Sequence, residues 1–240
     1  MEMSAAEGQG EAAPRKSGTR DTVESIVVAV ILALFIRTFV VQAFKIPTGS
    51  METNLLIGDH LLVNKVVYSP SLGGWEAGLL GKREVRRGDV VVFKYPEEPA
   101  RDFIKRVIGL PGERLEIRDK VVYVDGRALD EPYVRFLEPP LRRDDPEYGL
   151  RGESFRDNWG PETIPPGKLF VLGDNRDNSR DSRYWGFLPR DQVKGRAILV
   201  YWSYEASREE YQRTGMWEWI RDTASAFGRT RWNRFFHLIR

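Results

Sequence analysis

Residues 89–95 have the sequence DVVVFKY and residues 103–110 have the sequence FIKRVIGL, and these two runs decide the fold class. Both are short and rich in β-branched and aromatic residues. Arg87-Gly88 precedes the first run and Pro111-Gly112 follows the second. Runs of this length and composition between turn residues are typical of β-strands. They predict two strands in the middle of the chain.

Similar short runs occur on both sides of this pair. They are HLLVNKVV at 60–67, the stretch 114–124 closed by Asp125-Gly126, and the runs 169–172 and 197–202. The 114–124 stretch indicates a hairpin. Short strands separated by Gly and Pro favour a mostly β domain, an antiparallel β-barrel or a sandwich-like fold. We expect this domain to cover residues 45–205.

The N-terminal part carries an apolar run from Ile26 to Phe44. Counted from 23 to 44 it has about 22 residues, or about 33 Å as a helix, which is enough for one transmembrane anchor. Two alternatives stay open on the residues alone. The run could be a cleaved signal peptide, since Val41-Gln42-Ala43 resembles a cleavage site, or a buried core helix.

Three further segments complete the expected organisation. Residues 1–22 are predicted to be a disordered tail, and the basic residues Arg15, Lys16 and Arg20 favour a cytoplasmic position for it. That orientation places everything after the anchor outside the plasma membrane. Residues 131–166 are polar and are interpreted as an insertion. Residues 206–240 mix tryptophans, phenylalanines and arginines, which is typical of a membrane-surface helix or of a terminal helix packed on the domain.

Composition excludes several function classes. The 37 basic and 35 acidic residues are interspersed, which argues against a nucleic-acid partner. The absence of cysteine removes thiol catalysis and disulfides, and two histidines make a Ser-His-Asp triad or a His-rich metal site improbable. GDNRDN at 173–178 lacks the spacing of a calcium loop. We therefore expect neither metal nor cofactor.

Polar residues stand out in three apolar or tightly turned segments, 45–65, 102–113 and 170–189. Ser50 follows Thr48-Gly49, and Lys105 interrupts a predicted strand. In a strand Lys105 and Arg106 would face opposite sides, so that one of them faces inward. Each feature also has an ordinary structural explanation: a Gly-Ser turn, an exposed strand lysine and a hydrogen-bonded loop.

Taken together, these segments resemble the bacterial type I signal peptidases, also called leader peptidases. The resemblance runs from the anchor to about residue 204. Four blocks carry it in the family's order, and they are PTGSM at 47–51, RGDVVVF at 87–93, IKRVIGLPG at 104–112, and GDNRDNS at 173–179 followed by DSR at 181–183. In this family the anchor is retained, because the residues just after it form the substrate pockets.

The resemblance implies a serine endopeptidase that removes signal peptides from exported preproteins at Ala-x-Ala-type sites. It implies Ser50 as nucleophile and Lys105 as general base. Serine needs a base to remove its proton, and a lysine can act as one only when burial lowers its pKa from about 10.4. Ser179 would hold the neutral amine, and the Thr48 hydroxyl with the Ser50 N–H would form the oxyanion hole.

The resemblance also implies roles for residues around the dyad. Charged pairs would fix the last block, and apolar side chains would form two shallow pockets for the small side chains of an extended substrate. The charged residues are Arg106, Asp174, Asp181 and Arg183. The pocket residues are Phe44, Ile46, Met51, Leu55, Val92, Phe103 and Ile104. The expected partners are signal peptides and the lipid bilayer.

Three other functions compete with this hypothesis. A self-cleaving repressor-type Ser/Lys peptidase would need a DNA-binding helical domain, for which residues 1–22 are too short. A catalytically silent membrane-anchored binding module would not need Ser50, Lys105 and Ser179 together. An aspartic protease using Asp174 and Asp181 would need paired lobes.

Overall fold

A computed structural model describes residues 18–68, 83–139, 154–205 and 228–239. It divides into two units, residues 1–39 and residues 40–240. The first unit contains helix α1, Gly18–Phe35. A π-helical turn, Ile36–Val40, follows α1. Apolar side chains of α1 are exposed, and they are Val23, Ile26, Val27, Val28, Val30, Ile31, Leu32, Leu34 and Phe35.

The helix boundaries correct the sequence-based expectations at both ends. The helix begins at Gly18, inside the segment predicted to be disordered, and residues 1–17 lie outside the described part. The chain becomes strand β1 at Val41–Lys45, where a helix had been expected to reach Phe44. The strand forms because residues 41–45 pair antiparallel with residues 60–64. Within the described residues, no helix combines the length and the apolar character that a membrane span requires.

The second unit is mostly β, as predicted, and consists of two antiparallel sheets. The larger has the strand order β1-β2-β11-β3-β4-β9-β10, with β12 pairing to β11. Its further strands are β2 Asp59–Asn64, β3 Val90–Tyr95, β4 Glu98–Gly109, β9 Lys168–Leu172, β10 Leu188–Pro189, β11 Val193–Ser203 and β12 His237–Leu238. The smaller has the order β7-β6-β5-β8, with β5 Arg114–Arg118, β6 Val121–Val124, β7 Arg127–Ala128 and β8 Trp159–Thr163.

Alternate side chains of the central strands point to opposite faces of the large sheet and pack into separate core clusters. On β3, Val90 and Val92 pack into one cluster with Ile46 and Ile104, while Val91 and Phe93 pack into a second cluster on the other face. Because β3 is buried on both faces, its sequence is a continuous apolar run. A third cluster lies under the small sheet, where the core residues are Ile108, Leu115, Ile117, Val122, Val124, Ile164, Phe170 and Leu172.

Two segments expected to be peripheral belong in part to the folded unit. Within residues 131–166, a short helix at Ser154–Asp157 and strand β8 form, and Ile164 is fully buried. Residues 154–166 therefore contribute to the small sheet and its core, where a segment outside the core had been expected, and residues 140–153 lie outside the described part. Likewise 228–239 forms a 3-10 turn and strand β12 rather than a helix, and residues 206–227 lie outside the described part.

Candidate active site

Ser50 lies in a tight turn between β1 and β2. The chain is extended at Thr48 and then forms a single 3-10 turn, Gly49–Met51. Met51 and Leu55 are fully buried in the core cluster of the large sheet, so the residues after Ser50 are anchored by packing in the core. The turn leaves Ser50 itself 8% exposed.

Lys105 lies on β4 beside this turn. Its Nζ is 2.8 Å from Ser50 Oγ and 3.0 Å from the carbonyl oxygen of Ile104. Lys105 is 3% exposed, because β3 covers one side of β4 and the Ser50 turn closes over the other. The Phe103 ring centroid lies 5.4 Å from Nζ.

Burial sets the protonation of this amine. Desolvation lowers the pKa of Lys105 to about 8, although the charges of Asp181 and Asp174 act in the opposite direction. A substantial fraction of Lys105 is therefore neutral at mildly alkaline pH. A neutral amine 2.8 Å from a serine hydroxyl can accept its proton, which is the geometry of a general base and its nucleophile.

Arg106 differs from its expected position. The alternation of a strand predicted that only one of Lys105 and Arg106 would face inward, yet Arg106 is 1% exposed. Its Nε and Nη2 donate to the two carboxylate oxygens of Asp174 at 2.8 and 2.7 Å, and its guanidinium lies 4.0 Å from the Tyr133 ring centroid. Both faces of β4 are thus covered at this point.

A second buried ion pair orders the loop after β9. Arg183 Nε and Nη2 donate to Asp181 at 2.8 and 2.9 Å. Asp181 also accepts the N–H of Gly173 and caps the helix Ser182–Trp185 through the N–H of Arg183. Burial alone would raise the pKa of Asp181, but the charge and hydrogen bonds of Arg183 lower it below its usual range.

This loop packs directly on the Ser50 turn. Asn175 Nδ2 donates to the carbonyl oxygen of Gly49, and Asn175 N donates to that of Ser50. A side chain at Gly173 would place its Cβ 2.5 Å from the Ser50 carbonyl oxygen, closer than real atoms approach. Gly173 and Asn175 therefore fix the distance between loop and turn.

Ser179 and Thr48 are both close to the dyad. Ser179 is buried beside Gly173, and among the described residues its Oγ has no hydrogen-bond partner, so it does not hydrogen-bond to the Lys105 amine. Thr48 lines the cleft in front of Ser50, and its side chain does not cap the 3-10 turn.

An open cleft of about 470 Å³ leads to Ser50 and Lys105. Five of the expected pocket residues line it, and they are Phe44, Ile46, Val92, Phe103 and Ile104. Met51 and Leu55 do not, because they lie in the core beneath. Besides the dyad, Pro47 and Gly49, the other lining residues are polar, and they are Lys45, Thr48, Arg101, Asp102, Asn178 and Arg180.

Strand pairing leaves room for an extended peptide at this cleft. In the described part of the chain, β1 lies at the edge of the large sheet. β9 pairs with β4 only over residues 106–109, so among the described residues no strand pairs with 98–105 on the side away from β3. Free backbone donors and acceptors beside an apolar cleft can bind an added strand.

Sequence reasoning missed several residues that organise this site. Asn54 Nδ2 donates to Asp174 at 2.7 Å and to the Tyr133 carbonyl oxygen, which ties the Ser50 segment to the Arg106 ion pair. In the sequence, the only indication of a structural role for Asn54 is its position as a polar residue next to two leucines. In the described residues no three His, Asp or Glu side chains come together as metal ligands.

The family model described as "Signal peptidase, peptidase S26" matches residues 19–202. The chain belongs to this family. The signal peptidase I of Leptolyngbya laminosa is 38% identical over 188 residues, covering 75% of this chain and 78% of the relative. That of Aquifex aeolicus is 33% identical over 229 residues, covering 77% and 84%. As a member of the signal peptidase family, the chain is a serine peptidase.

One solved relative is a signal peptidase I from Enterococcus faecalis. It is 35% identical and covers 48% of this chain and 97% of its own, with a TM-score of 0.36. The four sequence blocks around Ser50, Lys105 and Asp174 lie within the family match, whereas residues 228–239 lie beyond it.

Proposed function

We propose that this signal peptidase family member removes N-terminal signal peptides from exported preproteins, with Ser50 as nucleophile and Lys105 as general base. One observation carries the proposal: the buried Lys105 Nζ lies 2.8 Å from Ser50 Oγ at the end of an apolar cleft. Family membership supports the substrate class, since the curated relatives bear the name signal peptidase I.

In the proposed reaction, Ser50 Oγ attacks the carbonyl carbon of the scissile peptide bond while Lys105 Nζ takes its proton. The tetrahedral intermediate collapses when the peptide nitrogen leaves with a proton from Lys105, which releases the mature protein and leaves the signal peptide esterified to Ser50. Water then attacks the ester, giving its proton to Lys105, and the signal peptide leaves as Ser50 regains its proton.

Neighbouring groups have supporting roles in this proposal. The Ser50 N–H and the Thr48 hydroxyl would donate to the developing oxyanion. The ion pairs Arg106–Asp174 and Arg183–Asp181 hold the elements on which the dyad lies. Ser179 would hold the neutral Lys105 amine through its buried hydroxyl, which has no hydrogen-bond partner among the described residues.

The substrate would bind as an added strand between the edge of β1 and the 98–105 stretch of β4. In an extended peptide alternate side chains point the same way, so two of them would enter the cleft formed by Phe44, Ile46, Val92, Phe103 and Ile104. Shallow pockets bounded by these large side chains accept alanine and exclude larger groups. This supports an Ala-x-Ala preference.

The proposed location is the plasma (inner) membrane, with a single N-terminal anchor, a cytoplasmic N-terminus and an extracytoplasmic catalytic domain. The exposed apolar side chains of α1 support contact with lipid. Basic residues before the apolar run support the orientation. In the segment 228–239 the exposed Trp232, Phe236 and Leu238 would suit a bilayer surface.

The decisive test is cleavage of a preprotein with an Ala-x-Ala site by the full-length protein in detergent. We expect Ser50→Ala to reduce cleavage to background with unchanged thermal unfolding, while the exposed Ser25→Ala cleaves like wild type. A preprotein whose two alanines are replaced by phenylalanine should remain uncut. Normal processing by Ser50→Ala would eliminate the proposed nucleophile.

A separate test addresses the orientation. Protease added outside spheroplasts should digest the domain after residue 45, and full protection of that domain would reverse the proposed topology.

A further inference from the structure

Residues 228–239 form a segment that is built into the large sheet although it lies beyond the family match. Strand β12 pairs with β11 through Leu199 and Val200, and the Ile239 N–H donates to the Ile198 carbonyl oxygen. The Ile239 side chain is 6% exposed and joins the core cluster that contains Ile46, Met51 and Leu55. The segment therefore packs behind the residues that follow Ser50.

Arg234 is the main polar link between this segment and the loop 52–58. Its Nε and Nη2 donate to the carboxylate of Asp59 at 3.1 and 2.6 Å, and Nη2 also donates to the carbonyl oxygen of Asn54 at 2.8 Å. Asp59 is fully buried and accepts the N–H of Leu56. The Arg234 guanidinium thus links Asn54, in the middle of the loop, to Asp59, which follows the loop.

A neighbouring arginine makes one further contact of this kind. Arg231 Nη1 donates to the carbonyl oxygen of Ile57 at 2.9 Å. Loop carbonyl oxygens are thus bound by side chains from residues about 175 positions further along the chain.

The loop in turn connects to both members of the proposed dyad. It follows the Gly49–Met51 turn directly, and its Asn54 side chain donates to Asp174, the partner of Arg106. Arg106 is the neighbour of Lys105 on β4. A displacement of Asn54 would therefore act on the Ser50 turn through the backbone and on the Lys105 strand through Asp174.

We infer that Arg234 is a positioning residue that holds the Ser50 turn at its working distance from Lys105. The inference rests on the proposed function of these two residues. Arginine suits the task because its planar fork of donors meets a carboxylate and a carbonyl together. Lysine at this position would keep the charge near Asp59 but would not reproduce the fork.

The test compares Arg234→Ala, Arg234→Lys and wild type as full chains in detergent, with a preprotein substrate. Arg118→Ala is the matched control, since Arg118 is an exposed arginine whose partner Glu116 lies on the same small-sheet strand. We expect kcat to fall about 10- to 100-fold in Arg234→Ala and less in Arg234→Lys, with KM within twofold of wild type. Arg118→Ala should match wild type.

Two readouts separate positioning from simple stabilisation. A loosened loop admits water to the Lys105 amine, so the alkaline rise of kcat/KM should move to higher pH in Arg234→Ala. Millimolar methylguanidinium should restore part of kcat, whereas methylammonium at the same concentration should not. A variant that unfolds at lower temperature but keeps the wild-type kcat and pH profile would overturn the inference.

Arg234→Lys decides the matter if Arg234→Ala does not fold, because the retained charge satisfies Asp59. Wild-type kcat in folded Arg234→Lys would reject the positioning role. Ser50→Ala measured in parallel distinguishes the two failures. If Ser50→Ala is inactive and both Arg234 variants are normal, only this inference fails; if Ser50→Ala is active, the proposed function fails with it.

Discussion

Lys105 and Arg183 are basic side chains that are almost equally buried, but their pKa values are shifted in opposite directions. Arg183 lies in the loop after β9 and is paired with Asp181. Burial would lower the pKa of Arg183, but the Asp181 carboxylate raises it. Lys105 contacts a hydroxyl and a carbonyl oxygen, and no carboxylate within the described residues pairs with it. Its pKa falls to about 8. In Lys105 burial is the largest influence on the pKa, whereas in Arg183 the paired Asp181 carboxylate outweighs it.

Removing the unpaired amine should give the largest effect. In Lys105→Met we expect preprotein cleavage to fall on the order of 10⁴-fold, because Ser50 would lose its proposed proton acceptor. The measurement is single-turnover cleavage with the full chain in detergent. Lys194→Met serves as the control, since Lys194 is a partly exposed lysine paired with Asp102. Cleavage by Lys105→Met within tenfold of wild type would show that Lys105 is not the base and that its lowered pKa does not distinguish it functionally from Arg183.

Removing the counterion from a buried pair should affect stability instead. In Asp174→Asn the buried Arg106 guanidinium loses the carboxylate that accepts hydrogen bonds from its Nε and Nη2, and we expect the free energy of unfolding to fall by about 3–5 kcal/mol. The exposed pair Arg101–Glu98 supplies the control, because Glu98→Gln should cost less than about 1 kcal/mol. Urea unfolding measures both, and equal losses would mean that burial of the pair has no consequence.

The smallest effect concerns pH. Because the folded-state pKa of Lys105 is depressed to about 8, the unfolded state binds more protons between about pH 8 and 10.5. The stability gap between wild type and Lys105→Met should therefore shift by about 3 kcal/mol in favour of wild type as the pH rises from about 8 to 10.5, and should stay constant below pH 8. Urea unfolding of both proteins across this range is the measurement. A gap that does not change with pH would mean that Lys105 titrates normally.

The fold was predictable where the local pattern matched the final environment. β3 and β4 have the β-branched, turn-bounded sequences that predicted them. Residues 41–45 could not be assigned, since a short apolar run suits a helix and a strand equally and the pairing with β2 decided the outcome. Strand β8 has the sequence WGPET and forms because it pairs with β5, a contact that local sequence does not encode.

The site was predictable to the extent that its motifs carry the chemistry. The resemblance pointed to Ser50 and Lys105, and the structure brings the two side chains together. The burial of Arg106 on the face opposite Lys105 was missed, because alternation says nothing about what covers the second face of a strand. The contacts of Arg234 with Asp59 and Asn54 join residues about 175 positions apart, and no spacing rule reaches that far.

The position of residues 228–239 in the core has a consequence for biosynthesis. β2, which carries Asp59, is translated long before its partner Arg234, and the ribosome must pass residue 239 before β12 and Ile239 can complete the sheet. Until then the Ser50 turn lacks the contacts that Arg234 makes with Asn54 and Asp59, and the packing of Ile239 in the core. The proposed site would therefore be completed only after residue 239 has been translated, so a nascent chain that lacks β12 is expected to be less active than the folded protein.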